Sequence, residues 1–102
     1  MSYIRYKNNN LFVESVSVRN LASKMSTPFY LYSEGNIVEN YRSFLSNFKK
    51  SKPLICFSVK ANSNIQILKV LKKMGSGADV VSGGELLKAI KSGIKPNKIV
   101  FS

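Results

Sequence analysis

Lys60 closes the short apolar run Phe57-Ser58-Val59 and is followed by Ala61-Asn62. Ammonium groups are rarely fully buried without a partner, so a strand that delivers one to its carboxyl edge suggests an amine held for chemistry. The plain alternative is a strand-end lysine that reaches solvent. Asp79 lies early in a second apolar run, Ala78-Asp79-Val80-Val81, where it is either an acid placed to pair with the lysine or a solvated turn acid. Glu85 falls three residues after Ser82, the spacing of a capping box, which accounts for it without a chemical role. Gly75, Gly77, Gly83 and Gly84 do not form a dinucleotide fingerprint, because Val80 stands where its last glycine would be. They read as helix stops and turns.

Cys56 is the only cysteine and histidine is absent. This excludes an internal disulfide, a Cys/His zinc site and any Ser/His or Cys/His nucleophile pair within the chain, so no metal site is expected. Cys56 itself sits in the apolar run, reads as a small core residue and fits a reducing compartment.

The elements that must position Lys60 follow from hydrophobic spacing. Residues 7–10 form a polar lead-in to a short strand-like stretch at 11–14, and a helix is expected over 18–24. Thr27-Pro28 then starts an extended run at 29–32, since proline fixes its own φ and moves the preceding residue out of the helical region. Ile37, Tyr41, Phe44, Leu45 and Phe48 recur at steps of three and four, giving a helix from Ser33 or Glu34 to about Phe48. Pro53 starts the strand that carries Lys60. A helix over 64–74 ends in Lys72 and Lys73 before Gly75, a strand covers 78–81, a second helix runs from the capping box to Ser92 before Gly93, and a last strand covers 99–101. Leu68-Lys69-Val70-Leu71-Lys72 and Leu87-Lys88-Ala89-Ile90-Lys91 echo each other, as do Val80-Val81 and Ile99-Val100. This repeat predicts an α/β fold with three parallel strands, near-continuously apolar and covered on both faces. Alternation would place Leu54, Cys56, Ser58 and Lys60 on one face, with Ile55, Phe57 and Val59 facing helices.

With 102 residues the chain is at most one small domain. Its 16 Lys and Arg against 5 Asp and Glu give a net charge of +11, which keeps a basic nucleic-acid-binding protein open as a different class of function. Against it, 13 of those cations are Lys and only 3 are Arg, and they spread over predicted helices and turns without exposed aromatics between them. No stretch of eighteen apolar residues exists and the amino terminus has no apolar leader core, so neither a membrane nor nucleic acid is expected as a partner and the cytoplasm is the expected location.

Three segments now carry a family resemblance. Thr27-Pro28-Phe29-Tyr30-Leu31-Tyr32, then Phe57-Ser58-Val59-Lys60-Ala61-Asn62-Ser63-Asn64, then Gly75-Ser76-Gly77-Ala78-Asp79-Val80-Val81-Ser82-Gly83-Gly84-Glu85-Leu86, taken in this order, resemble the amino-terminal part of the diaminopimelate decarboxylases. The alanine after the lysine distinguishes them from ornithine decarboxylases, and the alanine racemases continue with Tyr and Gly, which this chain lacks. The resemblance covers nearly the whole chain and about the first quarter of such an enzyme.

The resemblance implies the first part of a pyridoxal-phosphate-binding (β/α)8 barrel, ending after about three strands, with residues 1–32 preceding the barrel and 33–102 forming its first βα units. It implies that Lys60 is catalytic and binds pyridoxal phosphate as a Schiff base, that Asp79 lies near the cofactor, and that an amino-acid substrate displaces the lysine and loses CO2. Family members are homodimers that convert meso-diaminopimelate to L-lysine. Because a complete barrel takes about 250 residues, the chain is expected to be an inactive amino-terminal fragment. The alternative is one half of a split decarboxylase completed by a second polypeptide.

Overall fold

A computed structural model describes residues 2–102, which divide into two compact units, 2–36 and 37–102. The first unit is built on an antiparallel sheet of β1 (Ile4–Lys7), β2 (Asn10–Val13) and β3 (Val16–Ser17), followed by α1 (Val18–Lys24). Asn8 and Asn9 adopt φ of 50° and 63° and turn β1 directly into β2, with Lys7 opposite Asn10. Two consecutive left-handed residues give a turn whose twist matches that of paired strands, and asparagine tolerates them best after glycine. The expected polar lead-in at 7–10 is thus the tip of a hairpin. Every residue of β1 is exposed, so the short alternation Ile4-Arg5-Tyr6-Lys7 has no buried face behind it.

Helix α1 occupies the predicted span, and Ser17 Oγ caps it by accepting from Asn20 N at 3.3 Å. The carboxylate of Glu14 accepts from Ser33 Oγ (2.9 Å) and Gly35 N (3.2 Å), while Ser33 Oγ accepts from Asn36 N (3.0 Å). An acid and a serine together therefore satisfy the first amides of α2 (Glu34–Leu45), where the helix dipole favours negative charge. Residues 29–32 pair with no strand among the described residues; Tyr30 and Tyr32 stack there at 6.4 Å. Helix α2 stops short of Phe48. Ser46 Oγ and the Asn47 side-chain amide both bond the Ser43 carbonyl, at 2.7 and 2.9 Å, and compete with continuation of the helix.

In the second unit β4 (Cys56–Ser58), β5 (Gly77–Val80) and β6 (Ile99–Phe101) form a parallel sheet in that order, with α3 (Ile65–Lys73) and α4 (Gly83–Lys91) as the crossovers. The predicted repeat of parallel strand and helix is therefore present. Phe57, Ala78 and Ile99 are aligned across the sheet and pack with Val59, Val80, Leu68, Ala89 and Ile94. These residues form the core. Its centre, including Val59, Leu68, Ala78, Val80 and Ala89, is fully excluded from solvent.

The other sheet face carries Cys56 beside Gly77 and Ser58 beside Asp79. Small residues are required there: a Cβ on Gly77 would collide with the Lys98 carbonyl oxygen and stand 2.8 Å from Cys56 Sγ. Burial, then the charge of Asp79, raises the Cys56 thiol pKa; burial, then Cys56, raises that of the Tyr41 phenol on α2. Coverage of the third strand differs from expectation. Val100 is 49% exposed because it lies on the face opposite Ile99 and the helices, and Phe101, on the Ile99 face, is 70% exposed because β6 forms an edge.

Both crossover helices end identically. Gly75 N bonds Lys72 O and Ser76 N bonds Leu71 O; Gly93 N bonds Ile90 O and Ile94 N bonds Ala89 O. These are paired Schellman closures, and the glycines stand at φ of 96° and 97°, where side chains are strained. Each returns the chain toward the next strand.

Candidate functional site

The strand expected to end at Lys60 stops two residues earlier. After Ser58 the chain enters a 3₁₀ turn, Val59–Ala61, closed by Asn62 N on the Val59 carbonyl at 3.1 Å. Asn62 Oδ1 then accepts from Asn64 N (3.0 Å) and Asn64 Oδ1 accepts from Gln66 N (2.8 Å), so Asn62-Ser63-Asn64 turns the chain and caps α3. Val59 is buried in the core and anchors the turn. Lys60, the next residue, is carried out of the strand alternation and is exposed. The predicted common face therefore holds for Cys56 and Ser58 but not for Lys60: side chains alternate across a strand, not around a 3₁₀ turn.

The turn places Lys60 in an open cleft of about 330 Å³ at the carboxyl ends of β4 and β5, lined also by Val59, Ser63, Ser82, Gly84, Glu85 and Lys88. Most of these groups are already committed. Ser82 Oγ accepts from Glu85 N (3.1 Å), completing the serine half of the predicted capping box. The glutamate half reaches one residue further back than expected, since Glu85 Oε1 accepts from Val81 N at 3.1 Å. Lys88 Nζ donates to Ser63 Oγ at 3.1 Å. The Lys60 amine has no hydrogen-bond or ion-pair partner among the described residues.

Asp79 is held elsewhere. Its register partner Ser58 donates to Oδ2 at 3.4 Å and Ser102 donates to Oδ1. Asp79 does not line the cleft, so the structure does not bring the two predicted site residues into an ion pair. Two hydroxyls replace the expected lysine, because the 3₁₀ turn takes Lys60 out of alternation with Ser58 and Asp79 remains on the strand. Sequence reasoning missed Ser58, whose register with Asp79 depends on strand pairing, and Ser63, Ser82 and Lys88 as cleft groups. The recurrence of lysine in the two helical echoes was the available signal for Lys88. Among the described residues no cluster of metal-ligating side chains occurs, and no helix is long and apolar enough to cross a membrane.

The chain can be set beside known proteins on this geometry. Residues 34–102 match the family model described as pyridoxal-dependent decarboxylase, pyridoxal binding domain. The diaminopimelate decarboxylase of Aquifex aeolicus (strain VF5) is 44% identical over 100 residues, covering 98% of this chain and 23% of that protein. That of Helicobacter pylori (strain J99) is 54% identical over 76 residues, 74% of this chain and 19% of its own length. Among solved structures, diaminopimelate decarboxylase from M. jannaschii in complex with L-lysine superposes with a TM-score of 0.90 at 38% identity, over 96% of this chain and 24% of that one. The chain thus spans about a quarter of the length of the relatives it matches.

Proposed function

Because the chain belongs to the pyridoxal-dependent decarboxylase family, matching its pyridoxal binding domain, we propose that it forms the amino-terminal, cofactor-attaching part of a diaminopimelate decarboxylase. One observation carries this reading: an unengaged lysine amine stands in a cleft at the carboxyl ends of parallel strands, where barrel enzymes keep their reacting groups. The donor set fits the pyridoxal phosphate on which the family depends. Lys60 offers a primary amine for its aldehyde, and Ser63 and Ser82 offer hydroxyls beside it. Residues 33–102 would be the barrel part and 1–32 the segment preceding it.

When bound, the cofactor supplies an electron-accepting ring for loss of a carboxyl group from an amino acid. The chain's own residues do the positioning. Burial of Val59 fixes the backbone beside Lys60, whose amine stands exposed in the cleft where an aldehyde can reach it. Ser58 and Ser102 each donate to one oxygen of Asp79, which fixes the orientation of that carboxyl group on the sheet face that Cys56 shares. We assign Asp79 to the cofactor's surroundings on that basis.

The substrate is proposed to be meso-diaminopimelate and the product L-lysine, the ligand of the M. jannaschii relative. Decarboxylation belongs in this reading to a complete, homodimeric barrel. We place the protein in the reducing cytoplasm, in keeping with its single, half-buried free thiol. Nucleic acid and membrane are not proposed as partners: Lys24, Lys72, Lys73, Lys88 and Lys91 lie in the last turns of helices, where they complement the negative dipole ends.

The test is incubation of the full chain with pyridoxal phosphate, borohydride reduction and peptide mass mapping. The pyridoxyl group is expected on Lys60, and Lys60→Ala is expected to abolish it while shifting unfolding stability by less than about 0.5 kcal/mol, as for other exposed positions. Modification scattered over the 13 lysines without preference for Lys60 would count against the reading. Co-expression with a chain bearing the remaining barrel strands should then yield CO2 and lysine from diaminopimelate.

A further inference from the structure

Charge is distributed unevenly between the two ends of the parallel sheet. In parallel strands joined by helices, every helix ends and every strand begins at the same rim, and here that rim lies opposite the Lys60 cleft. Lys72 and Lys73 close α3 at the rim, Lys91 closes α4, and Lys95 lies in the loop that leads to β6. Lys49, Lys50 and Lys52 lie in the loop from α2 to β4. All of them are exposed. The side chain of Lys72 crosses to the end of α4, where its Nζ stands 3.8 Å from the point that a Cβ on Gly93 would occupy, and Gly93 falls between Lys91 and Lys95 in the chain. The acids of this unit are elsewhere: Glu85 opens α4 at the cleft end, Asp79 is held on β5 by two serines, and Glu39 lies in the middle of α2. None of the rim lysines has an ion-pair partner among the described residues.

Helix dipoles account for part of this charge. Arg42, Lys72, Lys73 and Lys91 lie in last turns, but Lys49, Lys50, Lys52 and Lys95 lie outside any α-helix. Like charges gathered without counter-charges repel one another and favour an anionic partner. Beside them stands an apolar pair that the sequence led us to expect covered: Phe44 and Phe48, 56% and 39% exposed, meet at the end of α2 next to Lys49, with ring centroids 5.4 Å apart. A second copy of the chain would bring the same positive charge to this face. Nucleic acid fits less well, since the rings pack at 54° to each other and form no parallel platform for successive bases, and lysine is a point charge where phosphate recognition favours the arginine fork. A bilayer needs a wider apolar face than two rings provide. We propose that this rim docks an acidic polypeptide segment, whose carboxylates meet the lysines and whose aromatic or aliphatic side chain covers Phe44 and Phe48. The cleft at the other end stays open, so docking is independent of the role of Lys60.

Fluorescence anisotropy of the full chain tests the proposal, with labelled poly-glutamate, a labelled glutamate–tyrosine copolymer and a labelled oligothymidylate as probes, alongside cosedimentation with vesicles of phosphatidylglycerol and phosphatidylcholine. The copolymer is expected to bind most tightly, with an affinity that falls as salt rises. Lys49→Gln, Lys50→Gln and Lys95→Gln combined should weaken it about tenfold at low salt, and the matching arginine substitutions should bind as the parent does. The same loss of charge in the first unit, Lys7→Gln, Arg19→Gln and Lys24→Gln combined, should change the affinity by less than about twofold. These positions are exposed, so the variants should keep the parent's circular dichroism. Phe48→Ser should remove the copolymer's advantage over poly-glutamate. Tighter binding of the oligothymidylate or of the vesicles than of the copolymer would overturn the proposal. So would equal losses in the rim and first-unit variants, a loss in the arginine variant, or equal affinity of the parent for poly-glutamate and the copolymer.

Discussion

The second unit contains the same passage twice, once from β4 to α3 and once from β5 to α4, and the two differ at one place. At their far ends the helices match, each closed by a left-handed glycine with the same pair of hydrogen bonds. At their near ends they part. β5 runs into α4 through the single residue pair Val81-Ser82, whereas β4 reaches α3 only after a 3₁₀ turn and three polar residues. The direct passage commits its polar groups to a cap. The interrupted one leaves Lys60 projecting without a partner. The difference teaches that chemistry is placed on this sheet by relaxing one strand-to-helix joint, while the neighbouring joint stays regular and supplies the opposite wall of the cleft.

The strongest way to break the comparison is to disturb the strand that both passages share. Gly77 of β5 lies between Cys56 and the Lys98 carbonyl, where backbone cannot yield as a flexible side chain can. Gly77→Ala should therefore cost about 3 kcal/mol, read from urea unfolding followed by circular dichroism, or prevent folding of the second unit. An effect below about 1 kcal/mol would mean that the β4, β5 and β6 register gives way at this point.

A smaller effect sharpens the contrast between the two joints. Ser82→Ala removes a cap that Glu85 supports reciprocally, and Asn64→Ala removes a cap that only the Asn62 turn supports. Each should cost about 1 kcal/mol in unfolding free energy. Asn64→Ala should alter the rate of Lys60 modification more than Ser82→Ala does, because it loosens the loop leaving the Lys60 turn, whereas Ser82 contributes only a hydroxyl to the cleft wall. Equal effects of both variants on that rate would remove the distinction between a regular and a relaxed joint.

How much of this was legible in the sequence varies with the range of the interaction. The parallel strands, both crossover helices, the Ser82 cap and the glycine stops depend on neighbours within a few residues, and periodicity exposes them. The β1 hairpin was missed because the alternation Ile4-Arg5-Tyr6-Lys7 is only four residues long and fully exposed, although Asn8-Asn9 marked its turn. Lys60 was found by residue type and context, but its direction was not, since the shift from strand to 3₁₀ turn depends on Asn62 and Asn64 competing for backbone amides. Ser58 became visible only through its register with Asp79, a pairing across 21 residues.

The smallest expected effect concerns the sheet face opposite the helices, and it is a dependence on pH. Burial raises the Cys56 thiol pKa first, and the nearby Asp79 charge raises it further; Tyr41 is raised by burial and then by Cys56. A group whose pKa is higher in the folded chain than in the unfolded chain keeps its proton more tightly when folded. Its contribution to stability is therefore complete below the unfolded value, about 8.5 for a thiol and about 10 for a phenol, and is lost as pH rises toward the folded value. Urea midpoints should fall modestly on the alkaline side, first through Cys56 and then through Tyr41, while remaining flat across this range for the contributions of the two helix caps, which contain no group titrating there. Cys56→Ser should remove the earlier part of that decline and Tyr41→Phe the later part. Asp79→Asn should weaken the Cys56 component without abolishing it, because burial is its larger cause. A decline unaltered by all three substitutions would locate the alkaline sensitivity away from this face.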